Sequence, residues 1–128
     1  MQGNQSNVLS RQQVTIIGAG TSGLSLAYFL KRRNISPVIL EAADTAGSSW
    51  SRRHKQLRLN THRRRSALPG QPLPRRLGTF VHRDDYLEYV KRYANWLVNR
   101  HGIEIRYGAA VRRIWSSSPT VQIWSAIP

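Results

Sequence analysis

The sequence predicts an α/β fold in which a parallel sheet is entered through a βαβ unit. Three observations predict it. Val14 to Ile17 is a short, mostly β-branched apolar run, the pattern of a strand buried in a parallel sheet. A glycine-rich turn, Gly18 to Gly23, follows at once and leads into apolar residues at helical spacing. A second apolar run, Val38 to Leu40, comes next and ends on Glu41.

The elements follow in order. Met1 to Gln12 is polar and rich in Gln, Asn and Ser, so residues 1–12 read as a disordered leader. After the first strand, Leu24, Leu26, Ala27 and Leu30 predict a helix to about Arg33, with cations at its C-terminus and Asn34 as the stop. The second strand is entered through Pro37, and strand, turn, helix and strand make one right-handed βαβ unit. From Ala42 to Val81 the pattern is irregular. Leu57 and Leu59 suggest a brief strand, and Pro69, Gly70, Pro72 and Pro74 force an extended loop that needs a function or a partner surface to order it. Asp84 to Asn99 predicts a second helix with Leu87, Val90, Ala94, Leu97 and Val98 on one face, stopped by Gly102. Ile103 to Tyr107 alternates as a strand, and Val111 to Trp115 suggests another. Residues 13–115 are therefore expected to form one domain, truncated, and 116–128 an irregular tail.

Composition narrows the function. The 128 residues contain no cysteine, which excludes disulfides, thiolate metal sites and cysteine nucleophiles. His54, His62, His82 and His101 form no ligand pattern, and no metal site is expected. The formal net charge is +14. Between Asp44 and Asp84 there is no acid, while Arg52, Arg53, Lys55, Arg58, Arg63, Arg64, Arg65, Arg75, Arg76 and Arg83 lie there. A solvated basic surface is the first reading of that stretch, a phosphate-facing surface the second, and a nucleic-acid site the third, since only Trp50 is near for base stacking. The apolar stretch Val14 to Leu30 is too broken by glycine to span a membrane or serve as an export signal, so a cytoplasmic protein is expected.

Gly18-Ala19-Gly20-Thr21-Ser22-Gly23 is a GxGxxG between a strand and a helix, the context a dinucleotide fingerprint requires. Gly18 permits the tight turn, Gly20 lets the backbone approach a pyrophosphate, and Gly23 lets helix and strand pack closely. The amides around Thr21 and Ser22 then face the phosphates at the positive end of the helix dipole. Glu41, about 20 residues on at the end of the second strand, is placed to accept ribose hydroxyls, and its charge disfavours a 2′-phosphate. These features describe a Rossmann-like FAD/NAD(P)-binding unit, without separating FAD from NAD.

Further blocks occur in order: Gly47-Ser48-Ser49-Trp50, Leu57-Arg58-Leu59-Asn60-Thr61, Ala67-Leu68-Pro69-Gly70, Pro72-Leu73-Pro74 and Asp85-Tyr86-Leu87-Glu88-Tyr89. With the fingerprint, they make the chain resemble the class B flavin-dependent monooxygenases, in particular their bacterial and YUCCA-like branches, over about Val14 to Ile114. The resemblance implies that Gly18, Gly20, Thr21, Ser22, Gly23 and Glu41 bind FAD, that Trp50 lies near the flavin side, and that Asn60 and its neighbours stand near the isoalloxazine. It also implies oxidoreductase chemistry in which NADPH reduces the flavin and the reduced flavin reacts with oxygen. No catalytic residue is assigned.

The family's second glycine fingerprint, for NADPH, and its Phe-x-Gly-x-x-x-His signature do not occur in the sequence. NADPH binding and complete catalysis are therefore not expected of this chain alone. A small-molecule substrate is the expected ligand beyond the cofactors. A half-domain would expose sheet edges and apolar surface, so a second copy or a missing C-terminal portion is the expected partner. Two alternatives stay open: a fragment of another FAD-dependent oxidoreductase, and a non-enzymatic basic module for nucleic acid or membrane.

Overall fold

The computed structural model describes residues 14–117 and 120–126. The predicted leader, 1–12, lies outside them. The elements are β1 (Thr15–Ile17), α1 (Thr21–Arg32), β2 (Val38–Leu40), the single turns α2 (Ser48–Ser51) and α3 (Arg63–Ser66), a 3₁₀ turn (Arg75–Leu77), α4 (Arg83–His101), β3 (Glu104–Arg106), β4 (Ala110–Ser117) and β5 (Thr120–Ala126).

β1, β2 and β3 form a parallel sheet with β2 in the middle. In register, Ile16 lies beside Ile39 and Ile39 beside Ile105. This row packs into one core with Leu24 and Ala27 of α1 and Val90, Tyr93, Ala94 and Leu97 of α4. Alternation turns Val38 and Leu40 to the opposite face, and both are also buried, so β2 is covered on both sides as a central parallel strand should be. α1 ends in a Schellman turn: Asn34 takes φ +60°, its N–H bonds to the Lys31 carbonyl, and that of Ile35 bonds to Leu30.

The stretch from Arg52 to Val81 has almost no regular structure, and α4 orders it. Tyr86, Tyr89 and Tyr93 share one face of that helix. Their hydroxyls donate to the carbonyls of Ser66 (2.9 Å), Gln71 (2.5 Å) and Pro69 (2.6 Å), and the Tyr89 hydroxyl also accepts from the Leu68 N–H (2.7 Å). Arg83 fastens the other end. Its Nη1 donates to the Arg53 carbonyl at 2.6 Å and to that of Ser51 at 3.3 Å, while Nε and Nη2 donate to Asp84 Oδ1.

Several sequence expectations are corrected. Arg83, counted with the basic surface, is buried because those carbonyls need a donor. Leu57 to Leu59 forms only an isolated bridge, Arg58 to His82, since no neighbouring strand continues the ladder. Leu26 and Val98, placed on the buried helix faces, are 47% and 39% exposed. Tyr86 and Tyr93 take the face of α4 that Val98 was expected to share. The segment 116–128, expected to be irregular, contains β5, antiparallel to β4, which itself runs to Ser117. Thr120, Val121, Ile123 and Trp124 have the β propensity for it, but the serines and proline before them mask the pattern.

Burial pushes the Tyr86 phenol up to about 12 and raises those of Tyr89 and Tyr93. A phenol whose folded pKa exceeds its ordinary value of 10.0 stabilises the fold fully below that value and loses its effect as pH rises through the folded pKa. The urea midpoint is thus expected to hold up to about pH 10 and to fall between about pH 10 and 12. A midpoint unchanged across that window contradicts the tyrosine anchoring.

Candidate functional site

The turn after β1 is built from its glycines. Gly18 takes φ +100°, a conformation that side chains rarely adopt, while its N–H bonds to the Leu40 carbonyl at 2.8 Å. A Cβ on Gly23 would lie 2.1 Å from the Gly18 carbonyl oxygen, so helix and turn touch there. A Cβ on Gly20 would meet no protein atom within 4 Å and would project into open space. α1 begins at Thr21 with no side-chain cap and no acid in its first turn. The amides of Thr21, Ser22 and Gly23 therefore have no intrahelical acceptor and present the positive end of the helix dipole.

Glu41 points into this turn. Its Oε1 accepts from the Ala19 N–H and its Oε2 from the Ala43 N–H, both at 2.8 Å, and the residue is only 9% exposed. A carboxylate offers about four lone-pair sites, so two bonds leave it able to accept from a ligand hydroxyl. Tyr107 stands nearby: burial first, and the Glu41 charge second, raise its phenol.

Beyond the turn, Gly47 donates to the Ala19 carbonyl at 3.0 Å, with φ +69°. A Cβ there would come within 2.8 Å of Val90 Cγ1, so the loop presses against α4. This sets Trp50 edge-on to Tyr86, with ring centroids 4.9 Å apart. Leu59 donates to the Val81 carbonyl and brings Asn60, which is exposed, to the same side. The result is a cavity of about 420 Å³ whose walls include Thr21, Ser22, Trp50, Asn60, Arg65 and Tyr86. Gly18, Gly20, Gly23 and Glu41 belong to the adjoining turn and not to the cavity wall.

Sequence reasoning missed Arg65, which was grouped with the basic surface, and Tyr86, which was read only as part of a matching block. No spacing rule marks either; the tyrosine bonds that fold the loop back bring them there. A second cavity of about 400 Å³, between the proline-rich loop and α4, holds none of the predicted residues. Two of the four histidines serve as helix caps: His62 Nδ1 accepts from the Arg64 N–H and His82 Nδ1 from the Asp84 N–H. Among the described residues there is no metal-ligand cluster, and no helix is long and apolar enough to cross a membrane.

Comparison with known proteins agrees with this geometry. A sequence model of the NAD(P)-binding Rossmann-like domain family matches residues 16–95. The chain is 34% identical over 97 residues to indole-3-pyruvate monooxygenase YUCCA1 of Oryza sativa, covering 75% of this chain and 23% of that protein. It is 36% identical over 78 residues to the uncharacterized oxidoreductase CzcO of Bacillus subtilis, covering 61% of this chain and 23% of the relative. Among solved structures, a variant flavin monooxygenase from Stenotrophomonas maltophilia superposes with a TM-score of 0.80 at 28% identity, over 91% of this chain and 34% of that one. The chain therefore spans about a quarter to a third of the proteins it matches.

Gly23→Ala is expected to cost about 3 kcal/mol or more, because a backbone oxygen has nowhere to move. Gly20→Ala should change stability by no more than about 1 kcal/mol. Urea midpoints of the two variants check this, and equal tolerance of both would contradict the packing described.

Proposed function

The chain belongs to the NAD(P)-binding Rossmann-like domain family, and on that premise we propose that it is the FAD-binding portion of a flavin-dependent monooxygenase. One observation carries the reading: the unsatisfied amides at the start of α1 and the amide-held Glu41 carboxylate flank one turn, beside a cavity walled by Trp50 and Asn60. The first suits a diphosphate, the second a ribose, and the cavity a flat heteroaromatic ring.

The residues present fit the cofactor. The space beyond the Gly20 Cα is open, and none of the residues lining the cavity is acidic. In this proposal the amides of Gly20, Thr21 and Ser22 hold the diphosphate, Gly18 and Gly23 shape the turn, and Glu41 accepts from the adenosine ribose. Trp50 and Asn60 border the isoalloxazine. Bound there, flavin supplies the redox and oxygen chemistry, while the chain positions it and shields it from water. NADPH as the reductant, and a soft nucleophile or a carbonyl compound as the substrate, complete the proposal at a second nucleotide site, for which this sequence holds no further glycine fingerprint.

Purified protein is expected to carry a flavin absorption spectrum or to gain thermal stability on addition of FAD. Gly20→Ala should retain the fold and weaken FAD binding at least about tenfold, since its Cβ occupies the ligand's path. Stabilisation by NAD with indifference to FAD would overturn the assignment.

A further inference from the structure

Among the lining residues of the 420 Å³ cavity, Arg65 is the one charged side chain. It lies on α3, whose neighbour Ser66 is fixed on two sides: its carbonyl accepts from the Tyr86 hydroxyl, and its Oγ bonds with Thr61 Oγ1. Among the described residues no carboxylate lies within ion-pair distance of its guanidinium. The same lining holds Thr21 and Ser22 at the positive end of α1, whose first turn carries no acid. Two sources of positive potential thus share one concavity with no acid in its lining, the nearby Glu41 carboxylate being taken up by the Ala19 and Ala43 amides. Arg64 and Arg65 are both exposed, and of the two only Arg65 lines the cavity.

We propose that Arg65 is a phosphate-binding residue that acts with the start of α1 to hold the diphosphate of the bound dinucleotide. This rests on the FAD reading above. Oxidised isoalloxazine carries no net charge, so the negative charge of the oxidised cofactor sits on its two phosphates. An arginine fork matches phosphate geometry, and because Arg65 is exposed its pull on a phosphate is screened by salt.

The test is a fluorescence titration with FAD of the wild-type chain, Arg65→Ala, Arg65→Lys and Arg64→Ala, at low and high salt. Arg65→Ala is expected to weaken FAD about tenfold at low salt, with the gap narrowing as salt rises. Arg65→Lys should recover part of the loss, and Arg64→Ala should bind as the wild type does. Equal affinity of Arg65→Ala and wild type overturns the assignment. So does a gap independent of salt, which would place Arg65 against the neutral ring, or an equal loss in Arg64→Ala, which would make the effect one of net charge. Failure of the wild-type chain to bind FAD would instead reject the FAD reading itself.

Discussion

The Glu41 carboxylate, shared between the amides of Ala19 and Ala43, ties the end of β2 to the glycine turn after β1. The same residue's N–H bonds to the Arg106 carbonyl and its own carbonyl accepts from Ala109, so three segments converge on it. A buried carboxylate is costly unless charge-assisted hydrogen bonds compensate it, and two amides supply them here. The bonds also fix where the carboxylate stands relative to the start of α1. A residue that the sequence offers as a ligand contact is therefore also part of the scaffold that shapes the site.

The other half of the site depends on α4. An irregular segment of this length would pay a large entropy cost to stay in one place. The phenols of Tyr86, Tyr89 and Tyr93 offset that cost by holding backbone carbonyls of residues 66 to 71 against a rigid helix. Arg83 does the same for the carbonyls of Ser51 and Arg53. Because Tyr86 also packs against Trp50, ordering the loop and building the cavity wall are one event.

The βαβ unit was legible in the sequence because its signals are local. Strand periodicity, the glycine spacing and the Asn34 stop each act within a few residues, and the structure places β1, β2 and the end of α1 within a residue or so of the expected bounds, while α1 begins at Thr21, inside the glycine turn and three residues before Leu24. The region between Ala42 and Val81 was legible only as matching blocks, since its order comes from side chains on a helix that follows it in the chain. For the same reason Arg65 and Arg83 looked alike as basic residues, although one faces a cavity and the other is buried as a donor to carbonyls. Leu26, Ile17 and Phe29 are each about half exposed, with β1 at an edge of the three-stranded sheet among the described residues. Apolar spacing reports a face without reporting what lies against it.

On the proposed reading, the turn with free amides, the amide-held carboxylate and the cavity without acids in its lining act together to bind the cofactor. Amide-resolved NMR of isotope-labelled protein titrated with FAD tests this most directly. The largest shifts are expected at the amides of Gly20, Thr21 and Ser22, with accompanying shifts at Ala19 and Ala43 as the Glu41 carboxylate takes up a hydroxyl. Shifts confined to the basic stretch from Arg52 to Arg76, with the glycine turn unmoved, would contradict it.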